Sequence, residues 1–335
     1  MVIKAVTRRR MLGTTVVAAL AMVAVGLAAP LVGSAHIDYG RALAGLSPDR
    51  EIFFYARVPR VLLSLLAGGA LAVAGVLFQA LLRDALATPY TLGISSGASL
   101  GAVLAIALGW RTIAGLPGIW AAAFLGAGVA LFVVLGIATE GRRMSSFTLL
   151  LAGVTINSIC LALILFLQNL ANFGQSFAIV RWLMGGIEAV DYASIAWLAA
   201  LVLPVCGFIF LRAREWNLLA VGEEWAMARG VSTSRLLLAG YFAGSLIAGS
   251  VTALTGPIGF VGLIVPHALR LGLGADHRLL IPCSFFAGAA FLTVCDTIAR
   301  TILAPAELPV GVITALAGGP FFIWLLRSRR RSLWL

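Results

Sequence analysis

The side chains that could carry out catalysis or hold a metal ion are few in this sequence and stand far apart. Its histidines are His36, His267 and His277, and its cysteines are Cys160, Cys206, Cys283 and Cys295, with no CxxC pair. A zinc site needs several such ligands, and a nucleophile needs a base beside it. No GxxxxGK[ST] loop, HExxH motif or GxSxG motif after a predicted strand is present, and the only lysine is Lys4. We therefore predict no catalytic residue, no metal ligand, no cofactor and no ATPase activity on this chain.

Composition places the chain in a lipid bilayer. Hydrophobic residues make up 61% of its 335 positions, charged residues only 11%, and the mean hydropathy is +1.04. A soluble domain has about 45–50% apolar and about 25% charged residues, so this chain has too few polar groups to face water on most sides. The net charge of +11 does not indicate a nucleic-acid partner, because the basic residues are spread between apolar runs rather than clustered on one face.

Apolar runs predict an all-α polytopic membrane protein with about ten transmembrane helices, forming a single transmembrane domain over residues 1–335. A bilayer core of about 30 Å requires about 20 apolar residues per helix. The predicted spans are 11–33, 60–82, 90–110, 113–138, 147–170, 190–211, 236–255, a shorter Gly/Pro-interrupted run at 257–273, 279–299 and 308–326. Residues 11–33 exceed a signal-peptide core, so we interpret them as a first span, with a signal peptide as the alternative. Small residues at 67–75 and 93–109 predict close helix packing.

The distribution of basic residues predicts the orientation. Seventeen fall on one side of the predicted spans and seven on the other. The larger group consists of Lys4, Arg8, Arg9, Arg10, Arg83, Arg142, Arg143, Arg212, Arg214, Arg229, Arg235, Arg270, Arg278, Arg327, Arg329, Arg330 and Arg331. The positive-inside rule makes this side, which carries both termini, cytoplasmic.

A polar island, REWNLLAVGEEWAMARGVSTSR at 214–235, interrupts the apolar sequence on that side. Within it, residues 223–229 have the features of a short helix: Gly222 precedes them, Glu223 and Glu224 suit the positive N-terminal end, Arg229 suits the last turn, and Gly230 suits the C-cap. A helix this short is not stable alone in water, so it must rest on the membrane domain or on a partner. Docking on a soluble partner is favoured over an interfacial helix on lipid, which would have a more basic polar face.

Three blocks resemble the FecCD-type permeases, the membrane subunits of ABC importers for iron chelates, haem and cobalamin. They are ARVPRVLLSLLAGGALAVAGVLFQALLRDALATPYTLGISSGASLGAV (56–103), GPIGFVGLIVPHALRLGLGADHRLLIP (256–282) and DTIARTILAPAELPVGVITALAGGPFFIWLL (296–326). The resemblance implies ten helices, cytoplasmic termini in the cell (inner) membrane, and a dimer with a second permease subunit, identical or different. It also implies an ATPase subunit on a separate chain and an extracytoplasmic substrate-binding protein.

The resemblance also implies roles for individual residues. The segment at about 214–232 is expected to contact the ATPase through Leu218, Leu219, Gly222, Glu223, Glu224, Ala226, Arg229 and Gly230. Arg57, Arg60 and Arg300 match arginines that meet acidic residues of the binding protein. Span five is expected to line the substrate path, with Ser145, Ser146 and Phe147 at the cytoplasmic gate, although Phe147 is bulkier than the family pattern. Asp296 and Arg300, four residues apart, are expected to form a local ion pair.

These features favour the permease subunit of an ATP-driven importer for an iron chelate, a ferric siderophore. Haem or cobalamin as substrate is the alternative within the same class. A secondary transporter driven by an ion gradient is the alternative from another class, and the scarcity of charge within the spans argues against it. His267, next to Pro266, is interpreted as a packing or hinge residue, because the family's substrates travel as intact chelates.

Overall fold

The chain folds into a bundle of α-helices with two minimal hairpins. The computed structural model describes residues 8–113, 116–140 and 143–329, so Lys4, Arg142, Arg330 and Arg331 lie outside the described residues. The helices are α1 (Arg8–Ala28), α2 (Tyr39–Leu43), α3 (Asp49–Glu51), α4 (Val58–Leu82), α5 (Ile94–Ala107), α6 (Gly118–Ala138), α7 (Ser146–Leu170), α8 (Phe173–Leu183), α9 (Tyr192–Leu211), α10 (Ala213–Val221), α11 (Glu223–Ala228), α12 (Thr233–Thr255), α13 (Val261–Leu273), α14 (His277–Thr301) and α15 (Val310–Arg329).

Shorter elements connect the helices. A 3₁₀ turn, Ala29–Leu31, follows α1, and a π-helical segment, Ile52–Arg57, joins α3 to α4. Strands β1 (Thr112–Ile113) and β2 (Leu116–Pro117) pair antiparallel before α6, and β3 (Thr139–Glu140) and β4 (Arg143–Met144) pair antiparallel before α7. Both hairpins join consecutive long helices, so they add turns to the bundle and no sheet core.

The ten predicted spans correspond to ten apolar helices. Seven helices of the described chain are long and apolar enough to cross a membrane, and three shorter ones are Ile94–Ala107, Val261–Leu273 and the apolar part of α15, Val310–Leu325. The all-α membrane fold predicted from composition is therefore confirmed. Helix α8 was not predicted, and it lies between spans five and six.

Helix α4 forms the centre of the bundle, because every residue from Leu66 to Leu81 is buried. Close approaches at glycine surround it, as the small-residue run predicts. A Cβ placed on Gly75 would lie 1.9 Å from the carbonyl oxygen of Gly262 on α13, and one on Gly68 would lie 2.3 Å from that of Gly288 on α14. Small residues allow such backbone contact in lipid, where packing replaces the hydrophobic effect as the force that joins helices.

Substitution at Gly75 tests the importance of this contact. We expect Gly75→Val to lower the stability of the detergent-solubilised protein by at least about 2 kcal/mol, because the new side chain must separate α4 from α13. Gly136→Val on α6 is the matched control, since a Cβ there meets no described atom within 4 Å. The apparent melting temperature of both variants provides the measurement, and equal temperatures would contradict the packing argument.

The two ends of the bundle carry different short elements. Helices α10 and α11 lie at the end where α4 finishes and where α7 and α14 begin, which we name the α11 end. Helix α8 lies at the opposite end, the α8 end, with Arg60 at the start of α4 and the segment that precedes α15. The Thr15–Cys283 contact near the start of α14 places the start of α1 at the α11 end, and α15 runs back toward that end from the segment at the α8 end.

Candidate functional site

Helix α10 is fixed to the bundle by one apolar face and by one polar clamp. Trp216 and Leu219 are fully buried, and the indole N–H of Trp216 donates to the carbonyl oxygen of Ile209 at 2.8 Å. The side-chain amide of Asn217 donates to Asp276 at 2.9 Å, and its oxygen accepts the backbone N–H of His277 at 2.8 Å. Asn217 therefore joins α10 to the N-terminus of α14.

The Asp276 carboxylate that completes this clamp stays ionised. Hydrogen bonds from the Arg278 side chain, followed by one from Asn217, lower the pKa of Asp276 to about 2 despite partial burial. The carboxylate is therefore charged throughout the physiological range, and the clamp does not respond to pH there.

Helix α11 projects from the bundle at the α11 end, and its C-terminus is capped by backbone hydrogen bonds. The backbone N–H of Val231 bonds the carbonyl of Ala226 at 3.0 Å, and that of Gly230 bonds Met227 at 2.9 Å. This is a Schellman motif, and it requires the positive φ of +81° that Gly230 adopts. The helix end predicted at Gly230 is confirmed.

The surface of α11 combines apolar and charged side chains. Trp225 is 66% exposed and Met227 is 53% exposed, while Ala226 is buried against the bundle. Glu224 and Arg229 are exposed beside them. Of the other residues predicted to contact the ATPase, Leu219 and Gly222 are buried and Leu218 is half-buried, so they support α11 rather than form its outer surface.

Glu223 points toward the bundle and not toward solvent. Its Oε1 lies 2.9 Å from the hydroxyl of Ser146, the first residue of α7, and 3.2 Å from Nη2 of Arg83 at the end of α4. The Ser146 hydroxyl also lies 2.9 Å from the carbonyl oxygen of Leu81, and its single proton is shared between these two acceptors. Glu223 thus joins the exposed helix α11 to the start of α7 and to the end of α4.

The three predicted gate residues differ in their environments. Ser146 is buried, Ser145 is exposed and Phe147 is 72% exposed. The structure therefore brings one predicted gate residue, Ser146, into contact with one predicted coupling residue, Glu223. Two groups that the sequence treats separately form a single site at the α11 end.

The three arginines predicted to meet a binding protein lie together at the α8 end but form internal contacts. Arg57 is buried and donates to the carbonyl oxygens of Pro30, at 3.1 Å, and Ala35. Arg300 is buried and donates to the carbonyl oxygen of Ala29. Their guanidinium groups hold the segment after α1 against α4 and α14, so neither faces the solvent in this conformation.

Arg60 forms the main ion pairs of this cluster. Its Nη2 and Nε lie 3.0 and 3.1 Å from the carboxylate of Asp296, and its Nη1 lies 2.7 Å from Oε2 of Glu307. The predicted local pair of Asp296 with Arg300 is present, but its 3.8 Å separation makes it the longer contact. Asp296 therefore joins α14 to α4 rather than only one turn of α14 to the next.

Two features were missed at the sequence level. Helix α8 carries a capping box, in which Asn172 and Gln175 each bond the other's backbone N–H, and this spacing was a usable signal for a helix start. The Asn217 clamp had no comparable signal.

His267 packs against Phe321 and Phe322 of α15 at 6.3 and 6.0 Å between ring centroids, and no cluster of three metal-ligating side chains occurs among the described residues.

A bundle of ten apolar helices with a short exposed helix braced at one end is the architecture of a multi-pass transporter permease. Residues 15–328 match the FecCD transport family, and the chain belongs to that family. It is the permease subunit of a FecCD-type ABC importer, and the ATPase of this family is a separate chain.

Named relatives and a solved structure agree with this assignment. The hemin transport system permease protein HmuU of Yersinia pestis is 37% identical over 84% of this chain and 85% of its own length. The vitamin B12 import system permease protein BtuC of Klebsiella pneumoniae is 42% identical over 86% of each chain. The structure of a metal-chelate type ABC transporter in an inward-facing conformation superposes with a TM-score of 0.83 at 28% identity, covering 95% of this chain and 99% of that one.

Proposed function

We propose that this chain forms the membrane path of an importer that takes up a metal tetrapyrrole, cobalamin or haem, driven by ATP hydrolysis on a partner subunit. The two named relatives above are permeases for hemin and for vitamin B12, which supports this substrate class over the siderophore that the sequence alone favoured. A second permease subunit, identical or different, completes the path. A substrate-binding protein delivers the chelate from outside.

The observation that carries the proposal is the exposed helix α11, whose Glu223 side chain points toward the bundle and accepts a hydrogen bond from Ser146. An exposed apolar pair, Trp225 and Met227, flanked by charges is typical of a surface that meets a protein partner. We assign that partner as the ATPase subunit, the α11 end as cytoplasmic, and the membrane as the cell (inner) membrane. The excess of basic residues at the α11 end supports this orientation.

Uptake by proteoliposomes tests the function. The chain is reconstituted with its ATPase and binding protein, and cyanocobalamin, haemin and a ferric siderophore are offered separately with and without enclosed ATP. We expect ATP-dependent accumulation of a tetrapyrrole and none of the siderophore. Uptake driven by an ion gradient without ATP would reject the importer and restore the secondary-transporter alternative.

A charge reversal on α11 tests contact with the ATPase. We expect Arg229→Glu to weaken association of the ATPase subunit about tenfold, because an exposed interface charge of the wrong sign repels its partner group. Arg50→Glu, the same exposed change at the α8 end, serves as the control and is expected to leave association unaltered. Titration of the fluorescent ATPase onto the permease gives both values, and equal affinities would reject the assignment of α11.

Docking of the binding protein through Arg57, Arg60 and Arg300 is proposed for the α8 end, and Arg57 and Arg300 would have to leave their internal contacts to take part in it. Glu307 is 46% exposed and holds Arg60, so a carboxylate of the docked protein would have to displace it. We expect Glu307→Gln to tighten docking several-fold by removing that competitor. Glu51→Gln, an exposed change of equal charge at the same end, is expected to have no effect. Binding-protein titrations compare the variants, and weaker docking by Glu307→Gln would contradict the displacement.

A further inference from the structure

The start of α14 holds the middle of α10 through Asp276, His277 and Arg278, which have no part in the proposed function. The Asp276 carboxylate caps α14 by accepting the backbone N–H of Arg278 at 3.0 Å, and the Arg278 guanidinium lies 2.6 Å from its other oxygen. The carboxylate is thus fixed from two sides where it accepts the amide N–H of Asn217. The Asn217 oxygen also lies 2.6 Å from the ring Nδ1 of His277. The Asn217 clamp therefore rests on a rigid helix start.

The clamp depends on the amide group of residue 217. Its nitrogen faces the Asp276 carboxylate at 2.9 Å, which only accepts hydrogen bonds, and its oxygen faces the backbone N–H of His277 at 2.8 Å, which only donates. A carboxylate of the same shape would place two acceptors against each other, and an apolar side chain would leave both partners unpaired. The contact is therefore specific to asparagine at this position.

The rest of α10 is packed firmly against the bundle. Ala213, Trp216 and Leu219 are buried, and they lie along one face of the nine-residue helix. A Cβ placed on Gly240 of α12 would lie only 3.0 Å from the Trp216 ring, so the indole fills the space above that glycine. Helix α10 is thus held to α12 by packing and to α14 by the Asn217 clamp.

Helix α11 is held less firmly than α10. Ala226 is the one buried residue among its six. In the part of the chain that the structure describes, the side-chain hydrogen bonds from α11 to the bundle are those of Glu223. Gly222 both ends α10 and precedes α11, and glycine adopts the widest range of backbone angles. A fixed helix and a loosely held helix therefore meet at one residue that can act as a hinge.

From these contacts we propose that Asn217 is a positioning residue for coupling, because it fixes α10 on the start of α14. A push on α11 then turns that helix about Gly222 and reaches α7 through Glu223. Without the clamp, α10 and α11 would shift together, and less of the displacement would reach α7. Helix α14 is a firm support, because its backbone contacts α4 directly at Gly68. The inference rests on the proposed ATP-driven transport and names the residue that supports its moving helix.

Hydrogen exchange tests the clamp independently of transport. Deuterium uptake by the amides of α10 and α11 is measured on the full-length chain in lipid nanodiscs without ATPase. We expect α10 to exchange more slowly than α11 in the wild type, and at least about tenfold faster exchange of α10 in Asn217→Asp, which opposes two carboxylates. Asn217→Asp/Asp276→Asn restores one donor and one acceptor and keeps a good N-cap for α14, so slow exchange is expected to return.

Transport by the reconstituted complex tests the consequence for coupling. Cyanocobalamin, haemin and a ferric siderophore are offered separately to proteoliposomes that contain the permease, its ATPase, the binding protein and enclosed ATP. For Asn217→Asp we expect the substrate imported per ATP hydrolysed to fall at least about fivefold, and the double variant to recover most of it. A residue that only stabilised the fold would lower uptake and hydrolysis together and leave this ratio unchanged.

Asn172→Asp is the matched control, because it makes the same change at the exposed N-cap of α8, where a carboxylate caps as well as an amide. We expect it to keep both the exchange of α10 and the transport ratio. Unchanged exchange of α10 or a wild-type ratio in Asn217→Asp would overturn the positioning role, and so would a double variant that recovers neither quantity. If the wild type imports none of the three chelates with ATP, the proposed function fails, while the exchange data still decide whether Asn217 fixes α10.

Discussion

Replacing Asp296 by alanine is expected to abolish most accumulation of the folded protein. Asp296 is 1% exposed, and its carboxylate holds Arg60 at 3.0 Å and Arg300 at 3.8 Å. Removing it leaves Arg300 buried without a carboxylate and leaves Arg60 with only the half-exposed Glu307. Breaking a buried pair in this way costs about 3–5 kcal/mol, which is a large share of a total stability of about 5–15 kcal/mol. Yield from membranes and the apparent melting temperature give the measurement.

A second change separates charge burial from lost packing in that variant. We expect Asp296→Ala/Arg60→Met to recover part of the melting temperature, because one of the two arginine charges that Asp296 balanced is then absent. The control is Glu188→Ala, which breaks an ion pair whose side chains are 68% and 72% exposed and is expected to cost less than about 1 kcal/mol. If Asp296→Ala were as stable as Glu188→Ala, the buried ion-pair cluster would not be what holds α4 to α14.

Removing the hydroxyl of Ser146 is expected to uncouple ATP hydrolysis from uptake. In Ser146→Ala, Glu223 loses its contact with α7, while the outer surface of α11 remains as it is. We expect substrate uptake to fall about tenfold or more, since a hydrogen bond to a charged group is worth about 1.5–3 kcal/mol. ATP hydrolysis by the reconstituted complex is expected to stay within about twofold of the wild type. The ratio of substrate imported to ATP hydrolysed is the quantity to measure.

Changes at Glu223 distinguish transmission from stability. Its ion pair with Arg83 is partly exposed, with side-chain exposures of 24% and 43%, so its loss is expected to leave the melting temperature nearly unchanged. Glu223→Gln keeps an oxygen acceptor for Ser146 and is expected to retain more uptake than Glu223→Ala. Glu224→Ala removes the neighbouring exposed charge, and we expect it to alter ATPase affinity rather than the transport ratio. Wild-type coupling in Ser146→Ala and Glu223→Ala would reject the link.

Sequence reasoning succeeded where the cause is local. Span positions follow from runs of apolar residues, and the end of α11 follows from one glycine whose φ other residues rarely adopt. The positions of the spans do not reveal which residues meet across the bundle. Ser146 and Glu223 are 77 residues apart, and Arg60 and Asp296 are 236 apart. The i+4 spacing therefore predicts the local pair of Asp296 with Arg300, which is present, but not the shorter contacts that Arg60 makes from another helix.

The candidate site shows the same boundary between local and distant causes. The short helix, its acidic start and its glycine end were visible in the island, so the segment that leaves the bundle was predictable. The direction of the Glu223 side chain was not predictable, because the surface on which a six-residue helix rests decides which of its residues are buried. That surface is made by Leu81, Arg83 and Ser146, which the sequence places at the ends of two other spans.

The glycine contacts of α4 determine which helices can move independently. At Gly75 and Gly68, backbones touch without intervening side chains, so α13 and α14 cannot slide along α4 without a collision of main-chain atoms. Helices α4, α13 and α14 are therefore expected to move together as one rigid unit. Helix α7 has few buried side chains along its 25 residues in the single subunit, and its first residue is the one that Glu223 holds. A displacement of α11 would then reach the start of α7 through Glu223 and Ser146, while α4, α13 and α14 keep their relative positions.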